Sequence, residues 1–134
     1  MALIWKNMNE LSKFLHQYID AFSKGESKNI SSYYSFPLTI IDQSDVKNNV
    51  ISVIKNKKQF YKYFNNVYTA LKLIYNYKKT KITKISSIKI NKNFGNAKVF
   101  ASRLNYKNKI FQKLELIYFA KKVKKKYRIF CFIV

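Results

Sequence analysis

Apolar and polar positions alternate along this chain with two different periods. In the first stretch, Leu11, Phe14, Leu15, Tyr18, Ile19 and Phe22 recur at three- and four-residue steps, the spacing of one face of an α-helix. Asn9 stands as its N-cap with Glu10 in the positive first turn, and Gly25 stands where a left-handed residue ends a helix. A short second helix is predicted from Asn29 to Tyr34, capped by Asn29 or Ser27. Pro37 closes it, because the residue before a proline is pushed out of helical angles. Leu38–Ile41 then reads as a strand, Asp42-Gln43-Ser44-Asp45 as a turn and Val50–Ile54 as a hairpin partner. Phe60, Phe64, Val67, Tyr68, Leu71 and Tyr75 mark a third helix over Lys57–Tyr75, with Asn56 as cap.

After Tyr75 the period shortens to about two residues, that of a β-strand. Lys79–Ile90, Ala97–Tyr106, Ile110–Lys121 and Tyr127–Val134 are the predicted strands, and the segments between them are short enough for hairpins. The alternation slips between Ile85 and Ile88, which predicts a β-bulge around Ser86-Ser87. Ile110, Leu114, Leu116 and Tyr118 point one way and Phe111, Ile117 and Phe119 the other, so the third of these strands is apolar on both faces. Helices cover only one side of a single sheet. The other side calls for a cover, and a homodimer through the outer face of the sheet is the expected one.

Helix, short helix, hairpin, long helix and a four-strand meander resembles the chain order of the nuclear-transport-factor-2-like (SnoaL-like, cystatin-like) superfamily. Two pieces of text carry the likeness: Tyr18-Ile19-Asp20-Ala21-Phe22-Ser23-Lys24-Gly25-Glu26 at the end of the first helix, and Tyr33-Tyr34-Ser35-Phe36-Pro37 leading into the hairpin. The resemblance implies an α+β cone, three N-terminal helices with a β-hairpin wrapped by a curved antiparallel four-strand meander, with an internal pocket. It implies no single chemistry, because members include transport factors, steroid isomerases, polyketide cyclases and dehydratases.

Against the steroid isomerases, Tyr18 falls where that subfamily keeps its oxyanion-hole tyrosine and Asp42 where it keeps its general-base carboxylate. Such chemistry needs a carboxylate to take a proton beside a carbonyl and a buried hydroxyl to stabilise the enolate. The place of the second oxyanion donor falls on Ile117, so the set is incomplete. The plainer alternatives stay open: Tyr18 as an aromatic core residue, and Asp42 as a turn-former bonding its own backbone. Phe14, Tyr34, Phe36, Phe60, Phe64 and Tyr68 are the expected apolar pocket lining, with Arg103 and Glu115, on adjacent strands, as its polar anchors or as a structural pair.

Composition narrows the picture further. A chain of 134 residues with two glycines and one proline reads as one domain spanning 1–134, without linkers. Cys131 is the only cysteine and His16 the only histidine, which excludes an intrachain disulfide and a cysteine cluster and argues against a metal site. No cofactor is expected. Ser12, His16 and Asp20 repeat at four-residue steps, but side chains parallel along one helix relay a proton poorly, and a solvated face is the simpler reading. The N-terminal apolar run is too short for a secretory signal or a membrane span, so a cytoplasmic protein is expected. The formal net charge is +21, yet only Arg103 and Arg128 are arginines. Lysines in Lys55–Lys62, Lys78–Lys84 and Lys121–Arg128 would attract polyanions non-specifically, whereas few arginines remain to read base edges. The leading expectation is therefore a small apolar-ligand-binding domain. The alternatives are an isomerase, cyclase or dehydratase using Asp42 and Tyr18, and a polyanion- or nucleic-acid-binding module.

Overall fold

The computed structural model describes residues 2–43 and 49–134, and of residues 2–9 and 87–89 only the backbone. Helix α1 spans Ala2–Lys24, α2 Ser27–Ser31 and α3 Lys57–Tyr75. The strands are β1 Tyr34–Asp42, β2 Val50–Ile54, β3 Tyr77–Ile90, β4 Phe94–Asn105, β5 Ile110–Val123 and β6 Lys126–Ile133. This is the expected α+β cone, with one change of architecture. The hairpin and the meander are parts of a single six-stranded sheet in the order β2-β1-β6-β5-β4-β3, closed by a parallel pairing of β1 with β6.

The helices follow their apolar stripes. Leu11, Phe14, Leu15, Tyr18 and Ile19 of α1 are buried, as are Phe60, Phe64 and Leu71 of α3. Asn56 caps α3, its side chain accepting from the Gln59 amide at 3.0 Å. Gly25 ends α1 with φ +74°, the left-handed conformation that only glycine adopts without cost. Tyr75 departs from its stripe: it is exposed and stacks on Phe111 at 4.8 Å.

Three local expectations are corrected. The first helix starts at Ala2, so Asn9 is an internal residue and not the cap; Ala2, Leu3 and Met8 are good helix formers and extend it. The second helix ends at Ser31, and Tyr34 opens β1, which contains Pro37. Proline is tolerated there because the β1–β6 ladder is interrupted between Tyr34 and Thr39, where no amide donor is required. The predicted turn Asp42–Asp45 lies partly outside the described residues; Asp42 itself is still paired with Val50 in the hairpin.

In the long strands the register shift between Ser87 and Lys89 sits one residue beyond the predicted bulge, and two further shifts follow Tyr77 and Ile82. Each adds twist, and together they bend the sheet around the helices. Ala97, Val99 and Ala101 of β4 pair with Tyr118, Leu116 and Leu114 of β5 on the inner face. Among the described residues no helix is long and apolar enough to cross a membrane.

Candidate functional site

The space between α1, α3 and the inner face of the sheet is not completely filled. A cavity of about 210 Å³ remains, floored by Leu114, Leu116 and Tyr118 of β5 and walled by Phe60, Tyr63, Phe64 and Val67 of α3. Tyr18, Ile19 and Phe22 of α1 and Tyr34, Ile40 and Asp42 of β1 complete much of its lining. Its charged side chains are Asp42 and Arg103.

Each polar group is held by an identifiable element. Ser23 ties α1 to β3: its hydroxyl donates to the Ile19 carbonyl and accepts from the Thr80 amide, both at 3.0 Å. Asp42 is fixed through its neighbours, because Val134 donates to the Ile41 carbonyl at 2.9 Å and accepts from the Gln43 amide at 3.0 Å. Arg103 lies on β4 between Thr80 and Gln112. Its Nη1 donates to Gln112 Oε1 at 2.8 Å, and its guanidinium lies 5.9 Å from the Phe22 ring centroid.

At the floor, three tyrosines meet. The hydroxyls of Tyr18 and Tyr34 hydrogen-bond each other, and Tyr18 packs edge-on against Tyr34 and Tyr118, each at 5.5 Å. Burial pushes the pKa of all three well above that of an exposed phenol; charge repulsion among them adds to this, and hydrogen bonds to Tyr18 and Tyr34 partly offset it. They are neutral hydroxyls at physiological pH, able to donate. Burial also raises the pKa of Tyr63, on which the charges of Asp42 and Arg103 act with opposite signs. Desolvation lowers that of Arg103.

The structure brings together Tyr18, Asp42, Tyr34, Phe60, Phe64 and Arg103. Four residues expected at the pocket are elsewhere. Phe14 lies a helical turn before Tyr18 and packs on Tyr33 and Tyr127. Phe36 packs on Phe60 at 5.8 Å, outside the cavity lining. Tyr68 turns back to α1, donating to the Ser23 carbonyl at 2.9 Å. Glu115 is exposed on the outer face, opposite Phe100, and pairs with Lys98. Arg103 faces inward, so the two are neither diagonal neighbours nor a pair. Ile117 also faces outward; the adjacent Tyr118 fills the inner position. Tyr118, Tyr63 and Thr80 were not among the expected site residues. Tyr118 was nonetheless signalled by sharing a strand face with Leu114 and Leu116.

His16 and Asp20 are exposed and Ser12 half-buried along one edge of α1, the arrangement of a solvated face. Among the described residues no three His, Cys, Asp or Glu side chains approach closely enough to hold a metal. The lysines of the basic runs that are exposed, such as Lys58, Lys62, Lys79, Lys81, Lys124 and Lys125, are spread over α3, β3 and the β5–β6 turn.

Comparison with known proteins fits this geometry. Residues 9–134 match the family described as NTF2-like protein (DUF6841). The chain belongs to that NTF2-like family. No curated protein matches it. Among solved structures, an NTF2-like protein with a cystatin-like fold from Novosphingobium aromaticivorans superposes with a TM-score of 0.74 at 7% identity, covering 98% of this chain and 82% of that one. A protein of unknown function with the same fold from Nostoc punctiforme gives 0.72 at 9% identity, covering 94% and 87%. An NTF2-like protein of unknown function from Shewanella baltica gives 0.60 at 16% identity, covering 96% and 91%. At these identities the likeness establishes the NTF2-like fold and nothing about chemistry.

Proposed function

We propose that this NTF2-like chain binds a small, mainly apolar molecule in the cone and works as a homodimer joined through the outer face of its sheet. The observation that carries the binding reading is the cavity itself. An apolar cavity of about 150 Å³ suffices for benzene, so about 210 Å³ suits a substituted aromatic ring. An aromatic and aliphatic lining with a few convergent polar groups is the usual composition of a ligand site. Here those groups are the tyrosine hydroxyls, Arg103 and Asp42. Calorimetric titration with indole tests the reading. Heat is expected with the wild type and none with a folded Val67→Trp variant, whose added ring fills the space. No heat with the wild type, or unchanged binding by the variant, counts against it.

The dimer reading is supported by the outer face of the sheet. Phe94 and Phe119 pack against Phe130 there at 5.9 and 6.5 Å, beside Ile117 and Ile133. Half-buried aromatic and aliphatic side chains gathered on one sheet face support an interaction surface there.

A second reading, proton transfer of the isomerase, cyclase or dehydratase type, is favoured by one observation: Asp42 and Tyr18 line the same cavity. In it Asp42 takes the proton and Tyr18, joined to Tyr34, donates to the developing oxyanion. Incubation with a 3-oxo-Δ5-steroid should then yield the conjugated enone, and Asp42→Asn should abolish it. No enone above buffer removes this reading and leaves the binding one.

A further inference from the structure

We infer that the molecule taken into the cavity is a monoanionic acid, an apolar body whose carboxylate pairs with Arg103. This rests on the cavity being a ligand site and adds the chemical class of what enters it. A guanidinium presents five N–H donors and no acceptor. In Arg103 one of them is bonded to Gln112, while Nε is sealed from solvent with no hydrogen-bond partner among the described residues. A desolvated guanidinium with further N–H donors to give gains from an acceptor that a ligand brings to the cavity.

The groups that act most on Arg103 are phenols, and Asp42 is the other charged side chain of the lining. The titratable groups that act on it most are the hydroxyls of Tyr77, Tyr118, Tyr18 and Tyr63, and burial keeps all four protonated. The ion pairs Lys98–Glu115 and Lys122–Glu10 lie outside the cavity lining. A carboxylate suits a guanidinium in shape as well as charge, because its two oxygens can accept in parallel from neighbouring N–H groups. A single guanidinium in a cavity that also holds the Asp42 carboxylate suits one negative charge better than two. The remaining lining, from Phe60 and Phe64 to Leu114, Leu116 and Phe132, suits the apolar body.

The test compares 3-phenylpropionate with its neutral isostere 3-phenylpropanamide by calorimetry at about 150 mM salt, where attraction to the basic surface is screened. The wild type should bind the acid about tenfold or more tightly than the amide, and Arg103→Met should bring the two to parity. The Arg103 Nε–H resonance of the wild type should shift with the acid and not with the amide, which decides the matter even where the variant does not fold. Equal affinities, a preference for the amide, or an acid preference undiminished in Arg103→Met overturns the inference while leaving the ligand site in place. Failure of both compounds to bind overturns the inference and the binding reading together.

Discussion

Tyr18 of α1 and Tyr34 of β1 join hydroxyl to hydroxyl at the floor of the cavity, both rings almost wholly buried. The bond ties a helix to the first strand of the sheet and leaves each hydroxyl a partner in a place water does not reach. Tyr18→Phe leaves the Tyr34 hydroxyl short of that partner, at a cost of about 1 kcal/mol. In the Tyr18→Phe/Tyr34→Phe double variant the loss should be less than the sum of the single losses, because the stranded hydroxyl is gone. Urea unfolding of the four proteins measures this; strict additivity would show that the bond contributes nothing.

Gly25 makes a sharper prediction. A Cβ built on it would lie 2.4 Å from Cζ of Tyr68, at a backbone φ of +74°. Tyr68 cannot retreat easily, since its hydroxyl is bonded to Ser23 and its ring stacks on Phe64 at 5.6 Å. Gly25→Ala should destabilise the fold by about 2–4 kcal/mol, combining left-handed strain with overpacking. The same substitution should cost less in a Tyr68→Ala background, which relieves the clash and not the strain.

Alkaline pH should act through the buried phenols. The folded-state pKa values of Tyr18, Tyr34 and Tyr118 are raised, chiefly by burial. Above the unfolded-state value near 10, the unfolded chain releases protons that the folded chain keeps. The stabilisation is complete below about pH 10 and is lost as pH climbs towards the folded values, at about 1.4 kcal/mol per pH unit for each tyrosine. Tyrosinate absorbance of these three residues should therefore appear together with loss of circular dichroism. Their ionisation in a protein that stays folded would contradict the burial argument.

Much of this was legible in the sequence, where local periodicity settles the matter. The stripes of α1 and α3, the cap at Asn56 and the glycine stop at Gly25 all follow from near neighbours. Pairings between distant segments were not legible. The parallel contact of β1 with β6 joins the first strand described to the last, and the break in that ladder between Tyr34 and Thr39 is what makes room for Pro37 inside a strand. The same holds for the site. Arg103 and Glu115 fall on opposite faces because Arg103 opposes Gln112 and Glu115 opposes Phe100, a register set by the hairpin rather than by composition. Phe14 and Tyr68 lie on stripes with cavity residues, but a helical stripe is longer than the cavity it passes.

The outer face of the sheet carries a separate prediction. Phe130, flanked by Phe94 and Phe119 with Lys121 5.6 Å from its ring, stands in the surface proposed for the dimer. Light scattering on the wild type should give twice the chain mass, and Phe130→Glu should give the monomer with an unchanged far-ultraviolet spectrum. A monomeric wild type would remove the dimer and leave the cavity untouched.

The cavity itself is tested most directly by methyl-resolved NMR during a titration with indole. Binding in the cone predicts shifts concentrated on Ile19, Ile40, Val67, Leu114 and Leu116, which line it. The exposed Val50, Ile51, Val53 and Leu73 should stay still. Shifts confined to those exposed methyls, or no shifts at saturating indole, would contradict a ligand site inside the cone.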